Sequence, residues 1–392
     1  MARDDLPILI AGGGIGGFAA ALALTRKGIP VHLLERASDF HEVGAGIQLG
    51  PNVFRMFELL GVGEQMAHWA VFPQNLIMRD ALDGSEITRI PAGEPLQQRF
   101  GYPYAVIHRA DLHNVLIDAV KRSPLALLTT GSKVLSYEDR GNRVVVGTES
   151  GEAHEGAALI GADGLWSAVR GQLAADGKPR VSGHIAYRGV IPTANVPAHL
   201  REDNVVLWAG PKTHLVHYPL HRGEVYNLVV VFHSSRYEEG WDTYGDPAEL
   251  RERFHGQHPK VREFLSMANE WKMWVLCDRD PIRDWTEGRV TLLGDAAHPM
   301  LQYLAQGGCM AIEDAVVLAD RVAAAKGDYN GAFMAYQQAR YLRTTRVQLT
   351  ARMYGDIYHA ADAVRDLRRE MLAGRTPEQA YNGVAWLYTP VA

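Results

Sequence analysis

Two apolar runs in this chain end in the same chemistry, a glycine followed closely by an aspartate. Val290-Thr-Leu-Leu293 stops at Gly294 and presents Asp295 within Gly294-Asp295-Ala-Ala-His298-Pro299, and Ala157-Ala-Leu-Ile160 stops at Gly161-Ala162-Asp163-Gly164. Short apolar runs halted by glycine read as buried strands. A carboxylate at the carboxyl end of a parallel strand sits where α/β sheets hold their ligands. Downstream, Gly307-Gly308 lets backbone approach a flat group just before a helix from about Cys309, whose free N–H groups favour negative charge. Taken alone, Asp295 serves equally well as a local cap.

The elements that must position these groups begin at the N-terminus. A strand over 7–11, a helix over 18–27 and a second strand over 31–36 enclose Gly12, Gly14 and Gly17, which satisfy G-x-G-x-x-G; Glu35 follows 18 residues beyond Gly17. The glycines permit a tight turn and close approach of a pyrophosphate to the helix N-terminus, and the carboxylate accepts a hydrogen bond from a ribose hydroxyl. A lone glycine motif is weak evidence. Here strand, turn, helix, strand and acid fall in register, which predicts an adenine-dinucleotide site.

Further along, a glycine-dense crossing over 44–50 suggests backbone passing close to a ligand. A strand over 104–108 delivers Arg109 to the start of a helix over 112–121, where it either pairs with a phosphate or caps the fold. Hairpins are expected over 76–90 and 133–148. From 181 to 277 the pattern changes to strands rich in aromatic and β-branched residues, a mostly antiparallel sheet. Alternation along 214–218 puts His214, Val216 and Tyr218 on one face, and Leu215 and His217 on the other. His214 and Tyr218 therefore line one wall, as pocket groups or as satisfied sheet residues.

Composition narrows the class. The 392 residues carry a net charge of -5 with 22% charged and 47% hydrophobic residues, which argues for a globular enzyme-sized chain and against a nucleic-acid surface. The two cysteines, Cys277 and Cys309, form no C-x-x-C pair, so neither a disulfide framework nor a metal site is expected, and Cys309 reads as packing. The first apolar segment is too short for a signal core or a membrane span, so the expected location is cytoplasmic. The arginine-rich helices after Arg321 read as a solvated face that also packs on the nucleotide domain or a second subunit, compatible with a homodimer.

Gly12-x-Gly14-x-x-Gly17 with Glu35, Gly161-Ala-Asp163-Gly164 and Gly294-Asp295-Ala-Ala-His298-Pro299, in that order, resemble the single-component flavoprotein aromatic hydroxylases of the para-hydroxybenzoate hydroxylase fold over nearly the whole chain. The resemblance implies an α/β fold: a Rossmann-type FAD-binding domain (1–73, 103–180 and 282–350), an inserted, mostly antiparallel substrate domain (74–102 and 181–281) and C-terminal helices (351–392). It implies non-covalent FAD, with Glu35 on the ribose, Arg36 and Arg109 near adenosine and pyrophosphate, Asp295 on the ribityl chain, and Gly307 and Gly308 facing the isoalloxazine. Asp163 matches an aspartate associated with both flavin and nicotinamide.

Within that family, Ala186-Tyr-Arg188-Gly, His214-x-x-x-Tyr218-Pro-Leu, Leu301-Gln302-Tyr303-Leu-Ala and the Asp80-Ala81 context are most similar to the 3-hydroxybenzoate 6-hydroxylases. There His214, Tyr218 and Gln302 match residues around the aromatic acid, and Arg188 is a candidate for its carboxylate. Hydroxylases of salicylate and 6-hydroxynicotinate share most of the frame, and Gln306-Gly-Gly-Cys309 falls where relatives vary. With one glycine motif only, NADH (or NADPH) binds transiently to reduce FAD, and dioxygen supplies the oxygen. Moving a phenol proton to free imidazole is uphill by about 3.5 pKa units, roughly 5 kcal/mol; Tyr218 or Gln302 would have to stabilise the phenolate. A flavin-binding sensor module is the non-enzymatic alternative, separated by substrate-stimulated NADH consumption.

Overall fold

The computed structural model describes residues 6–40, 45–235 and 243–391. Gly44, the first glycine of the expected crossing, lies outside them. Five parallel strands form one sheet in the order Val290–Leu292, Ala158–Gly161, Ile8–Ala11, Val31–Leu34, Ala126–Thr129, the first four buried on both faces and the last half-buried, with Thr286–Glu287 antiparallel on the edge beside Val290–Leu292. Helices Ile15–Arg26, Arg109–Lys121 and Gly307–Ala325 pack together beside it. Because Val290–Leu292, Ala158–Gly161 and Ile8–Ala11 are neighbours running the same way, the three glycine motifs that follow them emerge side by side.

An eight-stranded sheet runs Thr243–Tyr244, Lys272–Asp278, Arg180–Pro192, Val225–His233, Thr213–Leu220, Asn204–Gly210, Asn75–Asp80, Glu86–Pro91. All its pairings are antiparallel except Asn204–Gly210 with Asn75–Asp80. One face buries Trp208, Leu215, Phe232 and Trp271 against Leu250, Phe254, Val261 and Phe264 of helices Pro247–Arg253 and Pro259–Met267. Those two helices are absent from the sequence expectations, although proline at the first helical position after Asp246 and His258, both of which accept capping bonds, is a start signal.

The arginine-rich C-terminal segment packs on the nucleotide domain as expected and keeps exposed positions such as Arg346, but several of its arginines turn inward rather than face water. Arg340 is 1% exposed and pairs with Glu313 and Asp314, Arg343 pairs with Glu313, and Arg365 and Arg368 both reach Asp80. Charges at helical spacing look alike in sequence whether they face water or partners; only the acids brought opposite them decide. Helix Pro377–Tyr388 starts in a capping box between Thr376 and Gln379 and ends where Arg343 donates to the Trp386 and Leu387 carbonyls. No helix among the described residues is long and apolar enough to cross a membrane.

Candidate active site

A cavity of about 1010 Å³ runs from the carboxyl edge of the parallel sheet to the inner face of the larger one. That is the upper end of ordinary ligand clefts, with room for more than one small molecule. At the sheet edge its lining includes Gly14, Gly16, Arg36, Arg109, Asp295, Gly307 and Gly308. Gly12 holds φ +104°, and a side chain there would overlap the Ala162 carbonyl; one at Gly17 would overlap the Gly12 carbonyl. Any Cβ would open this turn. Helix Ile15–Arg26 begins at Gly14, and Gly307–Ala325 at Gln306, neither with a side-chain cap. Two uncapped helix N-termini thus border one cavity, an arrangement that fits the phosphates and polar flavin edge of a dinucleotide.

Other expected residues sit around this edge without facing the cavity. Glu35 accepts from Gly13 N at 2.6 Å and Ala37 N at 2.8 Å, holding the glycine turn and leaving carboxylate lone pairs for a further donor. Asp163 is bound by Ser167 Oγ, Ala168 N and Val169 N, so its carboxylate braces the start of helix Ala168–Leu173; burial raises its pKa against those bonds. Cys309 is fully buried, and burial pushes its thiol up to about 12, as suits packing.

Behind Asp295 lies a buried ionic cluster that sequence reasoning missed. Asp314 accepts from His298 Nε2 at 2.5 Å, Arg340 Nε at 2.6 Å and Gly294 N at 3.2 Å. Burial alone would raise its pKa, but His298 and Arg340 outweigh that and hold it at about 2. Glu313 beside it takes Arg340, Arg343 and Asn52, and these likewise overcome burial to lower its pKa. The cluster fixes the Gly294–Asp295 turn through its backbone. Its available signal was an adjacent acid pair inside an otherwise apolar helix, which must be paired if it is buried.

At the far end, His214, Val216 and Tyr218 of strand Thr213–Leu220 line the cavity, whereas Leu215 packs on the opposite side and His217 takes a bond from Trp208 and stacks on Phe264. Four residues of extended chain set His214 and Tyr218 about 13 Å apart at Cα, so they bracket a ring rather than meet at one oxygen. Between their rows, Arg188 donates to Gln302 Oε1 at 2.6 Å and lies over the Trp274 ring at 5.3 Å. Burial lowers Arg188 to about 10, opposed by Tyr218, and its Nε is buried without a hydrogen-bond partner. Burial also raises Tyr218, and pushes His214 down to about 3 with a smaller contribution from His184.

His214 does not stand alone. Its Nδ1 lies 2.7 Å from His359 Nε2, and His359 Nδ1 lies 3.0 Å from His233 Nε2; His184 stacks on His233 at 4.3 Å and bonds Tyr303 OH at 2.6 Å. Nitrogens of His184, His233 and His359 come within 4.8 Å of one another. Both nitrogens of His359 are already engaged by neighbouring rings, so the group is a hydrogen-bonded chain rather than an open coordination site. Nothing in the spacing of 184, 233 and 359 announces it.

Residues 5–348 match the family model described as FAD binding domain. The chain is 47% identical to the 3-hydroxybenzoate 6-hydroxylase of Polaromonas naphthalenivorans (strain CJ2), over 98% of this chain and 96% of that one. It is 45% identical to the 3-hydroxybenzoate 6-hydroxylase of Klebsiella oxytoca, over 97% and 96%. Among solved structures, Klebsiella pneumoniae HpxO complexed with FAD and uric acid superposes with a TM-score of 0.88 at 27% identity, covering 98% of each chain. With the glycine turn, the uncapped helix ends and the cavity in place, the chain belongs to the FAD binding domain family, among its flavoprotein aromatic hydroxylases.

Proposed function

We propose that this flavoprotein hydroxylates 3-hydroxybenzoate at ring position 6, using NADH and dioxygen, to give gentisate (2,5-dihydroxybenzoate). The observation that carries the reading is the single cavity joining Asp295, Gly307 and Gly308 to a wall bearing His214, Arg188 and Tyr218. Relatives at 47% and 45% identity carrying that activity in their names support it. Bound FAD, once reduced by NADH, supplies dioxygen activation and delivery of one oxygen atom. The chain's own contribution is binding, orientation and control of a proton.

His214 meets the 3-hydroxyl in this reading. Arg188 and Tyr218, one and two rows along the sheet, take the carboxylate, and Gln302 holds the Arg188 guanidinium in place. The segments 74–102 and 181–281 act as the substrate domain, and residues at the sheet edge hold FAD as the family resemblance implies. A phenolate pushes electrons to its ortho and para carbons; position 6 is para to the hydroxyl, but positions 2 and 4 are also activated. Selection therefore comes from holding both ends of the ring, an orientation effect that a misplacement of about 1 Å can ruin.

Chromatography of products from a panel of hydroxybenzoates and hydroxynicotinates, with NADH oxidation followed in parallel, tests the assignment. Gentisate from 3-hydroxybenzoate supports it. Catechol from salicylate with no turnover of 3-hydroxybenzoate refutes it.

A further inference from the structure

We infer that His214, His359 and His233 form a proton relay that carries the substrate's phenolic proton from the cavity to the protein surface and back. The inference rests on the preceding reading only in requiring a phenol whose hydroxyl meets His214.

The geometry is directional. Each bond joins Nδ1 of the inner ring to Nε2 of the next: His214 to His359 at 2.7 Å, then His359 to His233 at 3.0 Å. A neutral imidazole has one donor nitrogen and one acceptor nitrogen, so two bonds in this pattern align the three rings head to tail. His214 and His359 are buried, and His233 is only half-buried. The chain therefore starts at a cavity wall and ends near solvent.

In the resting arrangement each Nδ1 carries the proton and His214 Nε2 presents a lone pair to the hydroxyl. The substrate O–H bond breaks as His214 Nε2–H forms; the Nδ1 proton of His214 passes to His359 Nε2, that of His359 passes to His233 Nε2, and His233 releases its Nδ1 proton to water. Three neutral rings remain, and His214 Nε2–H now donates to the phenolate. After oxygen transfer the ring loses its C6 proton to water while the oxygen at position 3 regains one. The relay runs backwards, restoring each tautomer without a ring flip, and its net proton count is zero.

This division of labour suits the surroundings. Burial pushes His214 down to about 3 and lowers His359 and His233, which makes His214 a poor final acceptor. A ring that passes one proton on as it takes another need never hold a charge. Among the described residues, the titratable groups facing the chain are Tyr303, Tyr358 and His184 for His214, His184 and Tyr303 for His359, and His184, Lys212 and Asp356 for His233. Asp356, the carboxylate among these described groups, acts on His233, where a proton leaves.

The test uses the FAD-loaded protein and 3-hydroxybenzoate, reading ionisation of the bound phenol by ultraviolet difference absorbance in a stopped-flow instrument with a pH-indicator dye. His359→Phe and His359→Gln should both slow ionisation on the order of 10- to 100-fold, with flavin absorbance retained. His233→Ala should slow it too and recover when imidazole is added to the buffer. His359→Gln keeps a hydrogen-bonding side chain between the rings but cannot hand a proton across; ionisation at the wild-type rate in that variant overturns the relay and makes His359 a spacer. If the wild type does not bind 3-hydroxybenzoate, the preceding reading fails instead. Whichever of salicylate or 6-hydroxynicotinate binds then serves as the probe, and the relay stands or falls on the same His359 effect.

Discussion

Two buried polar clusters stand behind the two ends of the cavity, and they are built on opposite principles. Behind the Gly294–Asp295 turn, Glu313 and Asp314 meet the guanidiniums of Arg340 and Arg343, and Asp314 also bonds His298, so each carboxylate has an opposite charge within a few ångströms. Behind His214, the described side chains in ring contact are imidazoles and phenols, His184, His233, His359, Tyr303 and Tyr358, with Lys212 and Asp356 acting on His233. Burial outweighs other influences on those histidines and favours their neutral form. The first cluster can do little except hold geometry, because moving any proton or side chain strands a buried charge. In the second, protons can exchange between equivalent nitrogens at little electrostatic cost. On the proposed assignment, rigidity sits under the cofactor and proton mobility under the substrate.

The largest expected effect comes from breaking the charged cluster. Arg340→Met leaves Asp314 and Glu313 buried with fewer partners, and removing one side of a buried pair typically costs about 3–5 kcal/mol. Denaturant unfolding should show that loss, and gel filtration should show weaker FAD retention, because Asp314 also holds Gly294 N. A loss below about 1 kcal/mol would mean that the cluster relaxes without its arginine.

His214→Ala should behave the other way round. Hydroxylation should fall by about 10²–10⁴-fold, the usual worth of acid–base assistance, while FAD retention stays unchanged. Product formed per NADH consumed, measured beside flavin content, separates the two. Wild-type hydroxylation in this variant would remove His214 from the chemistry.

The clusters should also lose stability in different pH windows. His214 is depressed to about 3 and His184 to about 4 from 6.5, so the unfolded chain binds their protons first. Their contribution is complete above pH 6.5 and drains as pH falls toward 3, with a limiting slope of about 1.4 kcal/mol per pH unit per histidine. Asp314, depressed to about 2 from 3.8, contributes fully above 3.8 and loses that only as pH falls through 2. Thermal unfolding between pH 7 and 3 should therefore weaken steadily, and less steeply in His214→Ala. Equal slopes would show that His214 is not held neutral.

The contrast also explains what could be read from the chain. The glycine turn, the strand ends at Gly161 and Gly294 and the alternation along 214–218 are local patterns, and the structure shows the strands and faces they predict. Neither cluster is local. Arg340 reaches Asp314 across two packed helices, and His359 reaches His214 from the C-terminal end of helix Tyr329–Tyr358, the two histidines being 145 positions apart in sequence. Tertiary contacts of that kind leave at most a compositional trace, such as the acid pair in an apolar helix, and the scattered histidines leave none. The same holds for the pairing of Arg188 with Gln302, two residues named separately whose contact only the fold creates.

The smallest expected effect concerns the other face of one strand, and it isolates the role of position from that of residue type. His217 is as buried as His214 and is likewise depressed to about 3, by burial first and then by Arg79 and Lys260. Yet it belongs to the core between the eight-stranded sheet and its helices, accepting from Trp208 Nε1 at 3.1 Å and stacking on Phe264 at 4.1 Å. His217→Phe keeps the volume and the stacking but leaves the indole N–H of Trp208 without a partner, a cost of about 1–3 kcal/mol, partly offset because the buried, unpaired Nδ1 of His217 is also removed. Unfolding midpoints should shift modestly and turnover should stay within about twofold, since among the described residues the bond of this ring leads to Trp208 in the core rather than to the cavity, and side-chain substitutions on opposite faces are close to independent. A loss of hydroxylation comparable to that of His214→Ala would show that the two faces are coupled, and that burial in this sheet, rather than contact with the cavity, sets which histidine matters.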